Sequence, residues 1–517
     1  MRTRLAAAAL SALLLLLPGC QDQPPADTQT PSPTDTAASP QPTAVSTSPF
    51  ALPCYPDAGF HPINGTNRVN LELAGLLYDG LYEVDQNFTA QPALAASHTV
   101  SADSATWTIT LRTGVTFSDG SPLTAQDVVY SLNLARQSAL YQYRLSSINS
   151  VTAGDGTVTI TLSLPNGALD TLLDVPIIKE SAAAIPPGTG PYVMQGSGEN
   201  LSLQRRDTSW RSASRLPETI LLRSISGNDA LISSFDTGDI TLVSADLTGT
   251  NTPGFSGNYE TTDYPTTNLL FVGFNAASGP CRDAQVRRAL SYGMDRSTIV
   301  QAILAHHATP TPLPLHPNSS LYDGDVAAQL SYAPQTMAQL LEEAGWQREG
   351  GGTYTKSRQT LELTLLVSQD NAYRCDVAAE LERQLESAGV AVTVDQRPWE
   401  EYLSALSAGD FDLYLAETRL TADFTLTPLL PSGSLNYGKF NDWNITSLHA
   451  AFRSAQGQAR EEAAAAFYEA LTEQMPFTAL CFKNWSVLTQ WGQISALTPT
   501  QENLFFGFVS WELHTGT

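Results

Sequence analysis

Few residues in this 517-residue chain are of a type and spacing that could do chemistry, and cysteine and histidine are the first to weigh. Cys20, Cys54, Cys281, Cys375 and Cys481 lie far apart, with no C-x-x-C pair to chelate a metal or cycle as a disulfide. His306 and His307 are adjacent in "LAHHATP". Neighbours on a helix point in different directions, so a surface or helix-end position suits them better than a shared metal. "GTGPYV" and "GSGENL" each supply only the first two glycines of a dinucleotide fingerprint. No H-E-x-x-H, G-x-S-x-G or phosphate loop ending in G-K-[ST] is present. Carboxylate pairs leave no local signature and stay open as a route to catalysis. The weight shifts towards binding, with no catalytic residue, cofactor or metal site expected.

The odd cysteine is Cys20. Arg2 and Arg4 precede an apolar run from Leu5 to Leu17, which ends in "LPGC". That run is too short to span a bilayer, which takes about 20 apolar residues, and it has the three-part form of an export signal. A small-residue close before an obligatory Cys resembles a bacterial lipoprotein signal. Residues 1–19 are therefore predicted to be a signal peptide and Cys20 the lipid attachment point, which anchors without spanning. An ordinary secretory signal with a chance Cys is the alternative. Residues 20–49 are rich in Pro, Thr and Ser and hold no aromatic residue. Such a segment buries too little surface to offset its ordering entropy and reads as a disordered tether. Extended like polyproline it would reach about 90 Å at ~3.1 Å per residue.

About 465 residues remain for the folded body, enough for two or three domains. The formal net charge of -24 argues against nucleic acid or anionic lipid as a partner. It says little about a small ligand, because a pocket can differ from the surface average. The four body cysteines could pair in an exported protein or serve as four separate small apolar side chains.

Several stretches are legible as the elements that would position a site. In "ATWTITLRTGVTFSDGSPLTAQDVVYSLNLA", Trp107, Ile109 and Leu111 alternate as in a half-buried strand. "SDGSP" turns the chain, and Thr124 with Asp127 reads as a capping box. "GDGTVTITLSLPN" and "NLSLQRRD" read as further strands. In "SYAPQTMAQLLEEAGW", Pro334 suits a first helical turn and Gly345 a left-handed stop. "TLELTLLVSQDNAYRCDVAAELERQLESAGVAVTVDQ" reads as strand, helix, strand, a right-handed crossover between parallel strands. An α/β lobe is expected over roughly 265–485.

The order of segments resembles the family 5 extracellular solute-binding proteins, the oligopeptide-, dipeptide- and nickel-binding lipoproteins of ABC importers. The matching stretches begin with "LLYDGLYEVDQNFTAQPALAASHTVSADSATWTITLRTGVTFSDGSPLTAQDVVYSL". They continue with "GTGPYVM", "LLFVGFNAASGPCRDAQVRRALSYGMDRSTIVQAIL", "YAPQTMAQLLEEAGW" and "PWEEYLSALSAGDFDLYLAE", covering nearly all of residues 70–485. The resemblance implies an α/β clamshell of two lobes joined by two crossing strands, with ligand between the lobes. Lobe 1 would be 50–66, 185–264 and 486–517, with an inserted subdomain at 67–184, and lobe 2 would be 265–485. Trp107, Gly114, Phe117, Asp119 and Gly120 would be structural residues of the signature.

The resemblance also implies candidate ligand residues. Asp423 in "TADFTLTP" matches an Asp that pairs with a peptide's α-amino group, and a turn cap is its alternative role. Arg419 could grip a ligand carboxylate or pair with Glu417 or Asp423. Trp399 matches an aromatic found near the site, although a Trp at a helix start is commonly core. "AETRL" stands where peptide binders carry Gly-Trp, which weakens the match to an ordinary peptide ligand. The function implied is a monomeric, lipid-anchored receptor on the outer face of the cytoplasmic membrane. It would capture a short peptide or amine-bearing solute and deliver it to ABC permease subunits. A sensor or adhesin-like binder without transport, and a secreted hydrolase, are the alternatives.

Overall fold

The structure, a computed structural model, describes residues 49–211, 215–248 and 254–514. Cys20, the signal at 1–19 and all but the last residue of the tether lie outside the described residues. Among the described residues, no helix is long and apolar enough to cross a membrane.

The principal elements of the first half are β1 (Ala51–Cys54), β2 (Ala95–Val100), β3 (Thr106–Leu111), α1 (Ala125–Ala135), β4 (Ile148–Ala153), β5 (Thr157–Leu162), β6 (Tyr192–Gln195), β7 (Ser202–Arg205) and β8 (Thr219–Ser224). They make two four-stranded sheets, ordered β1-β8-β7-β6 and β2-β3-β5-β4. In the second sheet Trp107, Ile109 and Leu111 point inward while the threonines between them face outward, as their alternation predicts. α1 begins with the expected capping box. Thr124 accepts from the Asp127 N–H, and the Asp127 carboxylate accepts from the Thr124 N–H at 2.9 Å.

The second half adds β9 (Leu242–Ala245), β10 (Tyr259–Phe274), α2 (Ala284–Tyr292), β11 (Ala308–Pro310), α3 (Pro334–Glu343), β12 (Glu362–Ser368), α4 (Ala372–Ser387), β13 (Ala391–Arg397), α5 (Trp399–Ala408), β14 (Leu413–Arg419), α6 (Trp443–Ser454), α7 (Gln458–Gln474) and β15 (Phe477–Gln490). Seven strands form one mixed sheet, ordered β9-β15-β10-β14-β12-β13 with β11 also on β15. β12-α4-β13 is the parallel crossover read from the sequence. Its run Leu365-Leu366-Val367 is fully buried on both faces, as an unbroken apolar strand requires. Gly389 ends the unit at φ +93°, a backbone angle that L side chains rarely adopt.

Buried apolar side chains divide into two large clusters and one small one. One large core draws on residues 269–482 together with Val84 and Phe88. The other draws on residues 50–264 and a return at 487–511. This is the α/β two-lobe architecture. β10 and β15 are the long strands that run through both. Their ladder slips between Pro265 and Leu269, where proline has no N–H to donate. The freed groups find other partners: Thr266 O–H donates to the Lys483 carbonyl and Thr267 O–H to the Leu420 carbonyl, both at 2.6 Å.

The four body cysteines are free thiols. Cys54, Cys281 and Cys481 are buried and Cys375 is half-buried, so the unpaired alternative holds. The glycine pair of "GTGPYV" has a steric role, since a Cβ on Gly188 would lie 2.1 Å from the Leu77 carbonyl oxygen. Thr189 between the two glycines donates its hydroxyl to Asp79 at 2.7 Å.

His449 on α6 is buried beneath the segment after β14, where its Nε2 accepts the Leu426 N–H at 3.2 Å. Burial pushes its pKa down to about 4; Arg453 and Arg460 also lower it, and Asp423 opposes them. The folded pKa lies below the unfolded value, so the unfolded chain binds more protons between pH 6.5 and 4. The stability His449 confers is therefore complete above pH 6.5 and is lost as pH falls towards 4.

Two outcomes are expected. Gly188→Ala should cost more than ~2 kcal/mol, because backbone atoms, not a flexible side chain, fill the space. A urea midpoint within error of the parent would contradict this. His449→Gln, which keeps an acceptor for Leu426, should lose on the order of 2–3 kcal/mol less stability than the parent between pH 7 and pH 4.5. Parallel stability-pH curves for the two proteins would remove the histidine from that account.

Candidate functional site

Between the two cores lies a cleft with two adjoining cavities, of about 400 Å³ and about 250 Å³. The larger is within the usual range for small-ligand sites. Tyr143, Arg144 and Thr421 border both, so they form one depression. One wall comes from the segment after α1 and from residues 71–84. The other comes from the end of β14 and the loop that follows it. A C-terminal loop, 500–504, closes the larger cavity. Leu140, Tyr143 and Leu164 are large apolar side chains left exposed here, a pattern that marks interaction surfaces when it clusters.

Asp423 sits in the smaller cavity and is only 3 % exposed. Its Oδ1 accepts from the Thr421 hydroxyl at 2.5 Å and from the Thr425 N–H and hydroxyl, each at 3.2 Å. This is the turn-capping role. Its Oδ2 does something further, accepting from Asn166 Nδ2 of the opposite wall at 2.8 Å. Asn166 is itself placed by Trp107, whose indole N–H donates to its carbonyl at 2.9 Å. The signature tryptophan therefore reaches the site through one intermediary.

The loop carrying Asp423 is rigidly held. Phe424 is buried at φ +52°, a costly conformation for a bulky residue, of order 1–3 kcal/mol. Arg460 Nη2 donates to the Asp423 carbonyl at 2.8 Å, and the Tyr468 hydroxyl donates to the Phe424 carbonyl at 3.2 Å. Phe88, from the other half of the chain and also at positive φ, meets Phe424 edge-on at 5.0 Å. These contacts over-determine the loop, which is how a strained turn persists.

Arg419 ends β14 and lines the larger cavity with its side chain 55 % exposed. Its ion-pair partner is Glu502, at hydrogen-bond distance, and not Glu417 or Asp423. Glu417 instead accepts from the Tyr373 hydroxyl and lies 3.5 Å from the buried Lys483 ammonium. Arg144 on the facing wall places Nη2 2.8 Å from Asp174 Oδ1 and Nη1 3.5 Å from Glu502 Oε2. Glu502 thus bridges two guanidiniums from opposite walls. Burial would push the Glu502 carboxyl up, but Arg419 and Arg144 outweigh it and hold the group below the usual range. Burial raises Asp174, against the pull of Arg144. Burial alone would weaken Arg144 as a cation, and Asp174 with Glu502 more than restores it.

The sequence reading missed Arg144, Asp174 and Glu502. Each is an ordinary charged residue in a loop, and only the fold brings the three together. Trp399 is not part of the cleft. It opens α5, borders neither cavity and is 42 % exposed, stacked on Tyr402 at 5.6 Å. It is neither core nor cleft, because the start of α5 is fastened to Asp370 after β12, where Trp399 N–H donates at 3.0 Å. The structure brings Arg419 and Asp423 together and leaves Trp399 apart.

A buried-lined cleft with fixed cations, fixed carboxylates and exposed apolar side chains suits a small, charged, partly apolar solute. The model of bacterial extracellular solute-binding proteins, family 5, matches residues 89–435. Protein XP55 of Streptomyces lividans is 28 % identical over 389 residues, 70 % of this chain and 67 % of that protein. The glutathione-binding protein GsiB of Salmonella typhimurium is 26 % identical over 424 residues, 76 % of this chain and 78 % of that protein. Among solved structures, the unliganded open form of the periplasmic murein tripeptide-binding protein MppA superposes with a TM-score of 0.74. It is 21 % identical and covers 88 % of this chain and 95 % of its own. With two thirds of its length matched by the family model, this chain belongs to family 5 of the bacterial extracellular solute-binding proteins.

Proposed function

We propose that this chain is the monomeric, lipid-anchored receptor of an ABC importer, binding a short peptide or related amine-bearing solute between its lobes. The observation that carries this reading is the inter-lobe cleft, where Arg144 and Arg419 face Asp174 and Glu502 around a cavity of about 400 Å³ and Asp423 lines the adjoining one of about 250 Å³. A zwitterionic solute has a group for each sign of charge. Sequence similarity to a glutathione-binding protein, over most of both chains, supports the ligand class. The division of the buried clusters near residues 264–269 and 482–487 supports lobes at 50–66, 185–264 and 486–517, with 67–184 inserted, and at 265–485. "LPGC" supports attachment through Cys20, and the Pro/Thr/Ser segment at 20–49 a tether to the outer face of the cytoplasmic membrane. Solute is bound and released unchanged, and the closed form docks on the permease.

Closure follows from population shift, since a solute that touches both walls stabilises only the state in which the walls meet. Tri-alanine and reduced glutathione, tested separately, should raise the melting temperature. Occupancy at 100 times the dissociation constant adds about 2.7 kcal/mol. If neither peptide shifts the transition, the peptide reading fails. Asp423→Asn should weaken tri-alanine more than its N-acetyl derivative. Equal losses would assign Asp423 to turn capping alone.

A further inference from the structure

Glu502 is the one cleft carboxylate that joins cations of both walls. Among the described residues it is the ion-pair partner of Arg419, and it also faces Arg144. It comes from a loop that is tied to β10 and to residues 83–86. The neighbouring Gln501 accepts the Thr267 N–H at 2.6 Å at the slip between β10 and β15. Gln86 Nε2 donates to the Pro499 carbonyl at 2.9 Å, and Asn503 Nδ2 to Glu83 at 3.3 Å. The loop is therefore tied at Pro499, Gln501 and Asn503, while the Glu502 side chain is 26 % exposed and lines the cavity.

Two guanidiniums converging from opposite walls form a site for a carboxylate. In this chain the site already holds one of the protein's own. We propose that Glu502 is an internal ligand of the Arg144–Arg419 pair that a solute's carboxylate must displace. It thereby determines which solutes the cleft accepts. This rests on the reading that solute binds in the cleft, and it deepens it. A solute with a free carboxylate replaces Glu502 on the arginines, and the freed glutamate, still near the mouth, repels a second anion. A solute lacking that group leaves Glu502 in place and gains nothing from either arginine. Glu502 is thus a built-in competitor that raises the threshold for carboxylate-bearing solutes, not a residue that grips them.

The test compares tri-alanine with tri-alanine amide on the purified protein and on Glu502→Gln, by titration calorimetry. Losing the competitor should raise the ratio of acid to amide affinity roughly tenfold, the scale of one charge-assisted hydrogen bond. A ratio that stays constant or falls overturns the proposal. A second arm needs no peptide and reads the arginine pair directly, by melting in sodium acetate against sodium chloride at equal ionic strength. Acetate should stabilise Glu502→Gln more than the parent, and the gain should vanish in Glu502→Gln/Arg419→Gln. Equal acetate effects in all three proteins overturn the proposal. If neither peptide binds the parent or the variant while the acetate pattern appears, the peptide reading falls and the role of Glu502 stands. Should Glu502→Gln not fold, Glu502→Asp, which keeps the charge but is one methylene short of the bridge, is expected to move both readouts in the same direction.

Discussion

The pairing of β10 with β15 carries the rest of the molecule. These two strands alone among the principal strands run from one large core into the other, and at their crossing the ladder cannot be regular, because Pro265 has no N–H to give. A buried gap in a ladder is costly unless its groups are satisfied. Thr266 and Thr267 meet that demand with their side chains. Thr267 in particular gathers three segments at one point: its hydroxyl donates to the carbonyl of Leu420, its N–H to Gln501, and its carbonyl accepts the Leu420 N–H at 2.9 Å. Leu420 follows Arg419 and Gln501 precedes Glu502. The slip that lets the strands pass between lobes is thus also the point from which the cleft's charged groups are hung.

A second constraint acts from the side. The loop of residues 84–88 leaves its own half of the chain and buries Val84 and Phe88 in the other core. Phe88 meets His316 and Phe424, each at 5.0 Å between ring centroids. Both phenylalanines have positive φ, so the contact is made by two strained turns braced against one another. A non-glycine residue in that region persists only where its surroundings over-determine it. Here that makes the Asp423 loop a fixed surface, held from the other half of the chain by Phe88. Lys483 on β15 completes the arrangement. It is buried, with Asp246 at 2.8 Å and Glu417 at 3.5 Å, one carboxylate from beside β9 and one from β14. Removing either would leave a buried cation short of charge, which is why such pairs are hard to alter singly.

What the sequence disclosed was local. The capping box at Thr124, the stop at Gly389 and the β12-α4-β13 crossover are each written within a few tens of residues, where side-chain period and cap chemistry act directly. Asp423 was also visible, since a short polar motif in the right order is a local feature. Its dual role was not, because Asn166 lies 257 positions earlier and reaches it only through the fold. Arg419 shows the limit most clearly. The partners nearest in sequence, Glu417 and Asp423, were the natural expectations. Both are engaged elsewhere, by Lys483 and by a turn, and the partner is a glutamate 83 residues further on. Trp399 lies apart from both cavities for the converse reason, since a motif fixes order along the chain and not the direction in which a helix start faces.

The charge of the chain takes on a different sense at this scale. A protein with formal charge -24 holds in its cleft two arginines that meet a single glutamate. Long-range repulsion from the acidic surface is screened within about 8–10 Å at ordinary ionic strength, whereas partly buried pairs are screened much less. The few groups in the cleft, and not the net charge, therefore set the local field between the walls. With Arg144 and Arg419 drawn from opposite walls, the one carboxylate that meets both, Glu502, ties the walls across the cleft in this structure, and its pairs are of the partly buried kind that salt screens least.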